Sequence, residues 1–207
     1  MNEYLIIPIL FIISYLLGAI PFAHIFTKLF SKKDILKIGW KKSSSSNVLA
    51  NIGKVPALLT FLFDVLKGFI VVFIAKEFGL PFEVLAIAGF LAVIGHNFSI
   101  FLNFNGGRGI ATILGACLAF NPFIAFMALI PVILTAIFWP ASIGTLFSYL
   151  MVIFWSYSIQ DFGLSLLFTL SLIPIIIKRV LPIKTLRGNI FKRIVFDQDS
   201  VPPFRIK

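Results

Sequence analysis

The sequence predicts an all-α polytopic membrane protein on three observations. Of its 207 residues 59% are hydrophobic and 13% charged, the apolar residues recur in runs of membrane-spanning length, and the basic residues collect between only some of those runs. Soluble domains sit near half apolar and a quarter charged, whereas mean hydropathy here is +1.04. A bilayer core about 30 Å thick takes roughly 20 apolar residues per helix, so repeated runs imply one integral membrane domain over 1–207 rather than an anchor carrying a soluble domain. About seven spans are expected, near 4–26, 55–76, 82–102, 109–121, 123–139, 141–157 and 162–177. No lysine or arginine precedes the run that starts at Tyr4, so its N-terminus is expected to be retained rather than cleaved. Cys117 is the only cysteine and lies in an apolar run, which fits a small packed hydrophobe and rules out a disulfide or thiolate cluster within one chain.

The fourth and fifth spans form one apolar stretch, Ile110 to Phe138, punctuated by Asn121-Pro122, which reads as a tight hairpin or as a kink. Charge sets the sidedness. Sixteen of the eighteen basic residues fall in loop 28–54, in loop 103–108 and in tail 178–207. Lysine and arginine accumulate on the cytoplasmic side, so seven spans place these three segments inside, with the N-terminus outside and the C-terminus cytoplasmic. Six spans would divide them between two faces. The net charge of +10 is not a nucleic-acid footprint, because the cations flank apolar spans rather than striping a soluble surface. The sidedness rule together with attraction to anionic headgroups accounts for most of the lysines.

Some residues exceed what sidedness explains. Asp64 and Lys67 lie three apart in VPALLTFLFDVLKGFIVVFIA, on one helical face. Charge within a bilayer must be paired or wet, so both should point inward, as a packing ion pair or as a substrate-facing group. His96, in AVIGHNFSIFLNF with Asn97 and Asn103 nearby, reads as a hydrogen-bonded structural group or as a proton carrier; His24 reads as structural. In FLNFNGGRGIAT, Gly106, Gly107, Arg108 and Gly109 come just before a span, where backbone N–H groups, a helix N-terminus and a guanidinium suit a phosphate. The same pattern also makes a plain tight turn. In KKSSSSNVLANIGK, four serines and Asn47 before Val48-Leu49-Ala50 either cap a helix and cradle an anion or form a polar linker, and composition favours the linker.

Together these segments resemble the bacterial acyl-phosphate:glycerol-3-phosphate acyltransferases, the PlsY family. YLLGAIPFAHIF is similar to the family's first span, and DILKIGWKKSSSSNVLANIGKVPALLTFLFDVLKGF overlies its first motif and second span, ending in Asp64, Lys67 and Gly68. GHNFSIFLNFNGGRGIAT follows the second motif from Gly95 and His96 to Gly109 and Thr112, with Arg108 in place of a lysine. Departures accompany the match. Trp40 and Ala50 occupy the first motif's serine and arginine positions, with Lys41, Lys42 and Ser43 to Ser46 close by. The third motif survives only as IKRVLPIKTLRGN, with Lys178 and Leu181 near its histidine and asparagine positions.

The resemblance implies transfer of a fatty acyl group from acyl phosphate to glycerol 3-phosphate, giving lysophosphatidic acid for phospholipid synthesis, with no metal, no cofactor and no acyl-enzyme. It implies a multi-pass protein of the bacterial inner (cell) membrane, with membrane lipids and the soluble acyl-phosphate-producing enzyme as partners. His96 is then the catalytic candidate. Gly106, Gly107, Arg108, Gly109, Asn47, Ser46 and Lys42 are phosphate-binding candidates, and Asp64, Lys67 and Thr112 are supporting polar groups. Lys41, Lys42, Lys178 or Lys184 would substitute for the missing arginine. The alternative is a non-catalytic relative that binds acyl phosphate or lipid phosphate, or partners an active enzyme.

Overall fold

The computed structural model describes residues 3–138 and 141–180. Among these residues there are nine α-helices and no strand: α1 (Glu3–Ala19), α2 (Phe22–Ser31), α3 (Ser45–Asn51), α4 (Lys54–Glu77), α5 (Phe82–Asn97), α6 (Ile110–Phe120), α7 (Pro122–Phe138), α8 (Ala141–Ser158) and α9 (Phe162–Val180). A single 3-10 turn, Ile100–Leu102, follows α5. Four segments are long and apolar enough to cross a membrane, namely Leu5–Ser31, Lys54–Glu77, Phe82–Leu102 and Phe162–Val180, and shorter apolar helices cover Ile110–Phe120, Pro122–Thr135 and Ser142–Ser158. Leu29, Phe126, Leu150 and Phe154 face outward. So broad an apolar exterior suits lipid rather than water.

The expected single helix over 4–26 is two. Pro21 has no N–H and disfavours helical backbone at Ile20, so α1 stops at Ala19 and α2 restarts with the His24 and Ile25 amides donating to the Pro21 carbonyl, each at 3.0 Å. The break frees carbonyls that a bilayer cannot hydrate. Ser99 Oγ donates to Ala19 O at 2.5 Å and Lys67 Nζ to Ile20 O at 3.2 Å. The proline therefore supplies an acceptor for an intramembrane cation.

Asn121-Pro122 is a tight turn, not a kink in one helix. α6 ends at Phe120, Pro122 opens α7 where its missing N–H is harmless, and Asn121 Oδ1 accepts from the Ile124 amide at 3.2 Å. The serine run is likewise ordered rather than a linker. Ser44 Oγ accepts from the Asn47 amide at 3.3 Å and caps α3, as N-cap serines do.

Direct contacts give the helix directions. Asp64 meets His96 while Val72 lies against Gly89, so α4 and α5 run antiparallel. Gly109 lies against Val93 and Ala116 against Gly89, which makes α6 antiparallel to α5 and parallel to α4. Two seams of small residues join these helices. A Cβ at Gly68 would collide with the Thr112 carbonyl, and one at Gly115 with the Val65 carbonyl, so α4 and α6 touch backbone to backbone. Gly18 against Ala92 and Gly95 against the Tyr15 carbonyl do the same for α1 and α5. Small residues are what lipid-embedded helices use for close approach, because burying bulk away from lipid gains little. The α4–α6 crossing falls at Gly68, about 21 Å along α4 from Lys54, yet α6 begins only a turn or so before it. The residues leading into α6 are therefore sunk well below the start of α4.

Candidate active site

The site is assembled where the C-terminal ends of α1, α5 and α9 meet the start of α6. Asp64 and Lys67, three apart on α4, pair at 2.8 Å and are 2% and 4% exposed. The antiparallel run of α5 then brings His96 to the same carboxylate, with Nδ1 3.4 Å from Asp64 Oδ1. Lys67 is held in turn by Ile20 O and lies 5.8 Å from the Phe22 ring centroid. The Lys67 ammonium pairs with the buried carboxylate and the His96 imidazole lies against it, which meets the requirement that intramembrane charge be compensated. Asp64 turns Nδ1 of His96 toward itself, which leaves Nε2 facing Gly107: a Cβ there would strike both Nε2 and the Ser43 carbonyl.

The glycine loop doubles back along the end of α5. The Gly106 amide donates to Asn97 O at 3.1 Å and the Gly107 amide to His96 O at 3.0 Å. This corrects the expectation that these two amides point at an anion, since the fold itself already uses them. Gly106 and Gly107 are glycine because the loop presses on α5, the His96 ring and the Ser43 carbonyl. The donors left for an anion lie further on, in the first turn of α6 at Ile110, Ala111 and Thr112, whose N–H groups have no partner within the helix. Gly109 starts that turn at φ +78 with its α-carbon against the Asn97 side chain. Arg108 is half-buried beside it. Thr112 is fully buried, with its carbonyl against Gly68 and its hydroxyl hydrogen-bonded to no protein atom.

The remaining candidates divide. Lys42 is buried, and its Nζ donates to the Lys178 carbonyl at 3.4 Å. Lys178 is buried too, with Nζ donating to Phe104 O at 3.1 Å and lying 4.6 Å from the Phe98 ring centroid. The first and third motif segments thus both reach the glycine loop. Asn47 is a correction. Its Nδ2 donates to the Ile35, Ile38 and Lys42 carbonyls, its Oδ1 accepts from the Trp40 amide and from Asn51 Nδ2, and an amide group so occupied has nothing left for a phosphate. Ser46 is exposed on α3, away from these contacts. Lys41 is exposed, and Lys184 and Leu181 lie outside the described residues. His24 pairs with Asp34 at 3.4 Å. Ser43, whose carbonyl abuts Gly107, was hidden in the serine run because nothing local separates it from Ser44. Among the described residues no group of three or more His, Cys, Asp or Glu is placed to hold a metal.

Fold and site together define a multi-pass helical membrane protein that keeps an ionic trio under a basic, glycine-lined loop. The chain matches the family model for glycerol-3-phosphate acyltransferase over residues 8–189, and it belongs to that family. It is 48% identical over 111 residues to glycerol-3-phosphate acyltransferase 1 of Deinococcus radiodurans, covering 54% of this chain and 56% of that one. To the Bartonella quintana glycerol-3-phosphate acyltransferase it is 43% identical over 114 residues, covering 54% of each. The chain thus spans about half the length of the curated relatives it matches. Among solved structures it is similar to PlsY (YgiH), an integral membrane glycerol 3-phosphate acyltransferase, in its glycerol 3-phosphate form, with a TM-score of 0.78 and 28% identity over 87% of this chain and 91% of that one. The lysophosphatidic acid form gives 0.75.

Proposed function

We propose that the protein transfers a fatty acyl group from acyl phosphate to glycerol 3-phosphate, giving lysophosphatidic acid and inorganic phosphate. The observation that carries this reading is the packing of the His96–Asp64–Lys67 trio directly beneath the glycine loop. The phosphate of the donor lies on the first turn of α6 and on Arg108, where helix amides and a guanidinium complement its charge. The primary hydroxyl of glycerol 3-phosphate attacks the carbonyl carbon, the C–O bond to phosphate breaks, and His96 Nε2 receives the hydroxyl proton. Phosphate is already a good leaving group, so the protein's contribution is to hold two anions in line and balance their charge. Lys42 and Lys178 supply the positive charge for glycerol 3-phosphate that Ala50 does not. The basic end faces the cytoplasm of a bacterial cell, the protein resides in the inner membrane, and the donor comes from the soluble enzyme that makes acyl phosphate.

The test is to reconstitute purified protein in lipid with hexadecanoyl phosphate and radiolabelled glycerol 3-phosphate, and to look for labelled lysophosphatidic acid. Product formation that falls at least a hundredfold in His96→Ala is the expected result, within the usual range for a general base, about 10²–10⁴. Donor binding without product at any acceptor concentration would favour the non-catalytic alternative, for which Trp40, Ala50 and Leu181 at motif positions speak.

A further inference from the structure

The packing of α5 against α6 leaves two polar side chains inside the bundle without protein partners. Asn97, the last residue of α5, is 0% exposed, and among the described residues neither its Oδ1 nor its Nδ2 has a hydrogen-bond partner. Asn47, equally buried, shows the ordinary case, its amide fully engaged. Thr112, on the first turn of α6, is also fully buried with Oγ1 unpartnered. A hydroxyl on a helix can donate to the carbonyl four residues back, as those of Ser14, Thr60 and Thr135 do. For Thr112 that residue is Arg108, which precedes the helix, so α6 supplies no acceptor there. Both side chains meet the same turn. A Cβ at Gly109 would come within 2.7 Å of Asn97 Oδ1 and 2.8 Å of Val93 Cγ1, and Ala116 Cβ lies against Gly89. Gly109, Thr112 and Ala116 share one stripe of α6 by their spacing, and these contacts turn that stripe toward α5.

We propose that Asn97 and Thr112 hold a buried water between the end of α5 and the first turn of α6, and that this water fixes the turn on which the donor's phosphate lies. The second half rests on the acyl phosphate reading above. Buried polar atoms are almost always paired, and within a bilayer no bulk solvent reaches them. A buried water makes about three hydrogen bonds, for which Asn97 Nδ2, Asn97 Oδ1 and Thr112 Oγ1 are the partners. An amide and a hydroxyl both donate and accept and carry no charge, so they suit a ligand of the same kind. A cation is ill suited, since Lys67 is the neighbour of the Gly68 that the Thr112 carbonyl touches. The place gives the water its consequence. Gly109 begins α6 at φ +78 with no capping side chain, whereas Ser44 caps α3 from within its own segment. A water anchored on α5 secures the α6 turn from the neighbouring helix instead. Asn97 and Thr112 are thus positioning residues, which set the height and tilt of the turn without touching substrate.

Two measurements test this. The first is direct: a crystal structure of the unaltered protein, at a resolution that shows ordered solvent, should place one water within hydrogen-bond distance of both Asn97 and Thr112. The two side chains bonded to each other or to other protein groups, with no water between them, would overturn the proposal. The second compares variants by their affinity for a hydrolysis-resistant hexadecanoyl phosphonate in detergent. Thr112→Val and Asn97→Leu keep the shape and remove the polar atoms. Each is expected to weaken phosphonate binding about tenfold, the worth of one well-placed hydrogen bond. The double variant should bind no worse than the weaker of the two, since either change alone dislodges the shared water. Thr112→Ser keeps the hydroxyl and should bind as the unaltered protein does. Losses that multiply in the double variant, or unchanged binding in Thr112→Val, overturn the proposal, and the Thr112→Val and Thr112→Ser pair decides it even if Asn97→Leu fails to fold. Phosphonate binding that follows the expected pattern without any turnover of hexadecanoyl phosphate would leave the water site standing and sink the acyltransferase reading alone.

Discussion

Asp64 illustrates how much one buried side chain can depend on its neighbours. Removing one member of a buried ion pair strands the other, at about 3–5 kcal/mol, whereas replacing both by apolar groups of similar shape is often near neutral. Asp64→Asn and Lys67→Met should each lower the unfolding midpoint in detergent strongly, and the double variant should be more stable than either. Additive losses would mean that the two charges do not stabilise one another. The two phosphate candidates in the serine segment behave oppositely. Ser46→Ala should leave stability within about 0.5 kcal/mol, as surface changes do. Asn47→Ala abandons several backbone groups of the loop at about 1–3 kcal/mol each, and limited proteolysis between Lys32 and Lys42 should accelerate. Asn47's role could not be read from its sequence position, because its partners Ile35, Ile38 and Lys42 come to it only once the loop has wrapped around. The Asp64–Lys67 pair was legible from three-residue spacing; that His96 joins it required the antiparallel contact of α4 and α5.

Helices were the most legible part of the chain, since hydropathy and the flanking charges mark where each runs. What hydropathy could not register was the break at Pro21, where apolar residues continue on both sides while the backbone hydrogen bonds stop. Nor could it place Lys178 beside Phe104, a juxtaposition of residues seventy-four apart made by α9 running alongside α5. The glycine seams yield a prediction about pairs of helices. Gly115→Leu would drive a side chain into the Val65 carbonyl across the α4–α6 contact, and should abolish recovery of monodisperse protein. Gly79→Ala makes an instructive comparison: its Cβ would meet nothing within 4 Å, yet φ is +66, so only backbone strain of about 1–2 kcal/mol is introduced. Its thermal midpoint should drop modestly while the folded yield persists. Equal yields from the two variants would show that the seam is not a tight constraint.

For the molecule as a whole, sidedness is open to direct measurement. Cys117 is buried, so single cysteines can be added to an otherwise quiet background. With the basic end inside, Lys37→Cys should react with an impermeant maleimide only after cells are opened, and Glu83→Cys, at the start of α5, should react in intact cells. The reverse pattern would invert the orientation and with it the cytoplasmic origin proposed for both substrates. The shortness of α6 has a further consequence. Because its glycine turn starts partway down the bundle instead of at the rim, the acyl transfer proposed above would bring its two reactants together along perpendicular routes, the hydrophilic one downward from the water and the greasy one sideways within its leaflet. On that proposal the newly esterified lipid would form within its leaflet, below the level of the headgroups, and its head would rise to the surface as it departs.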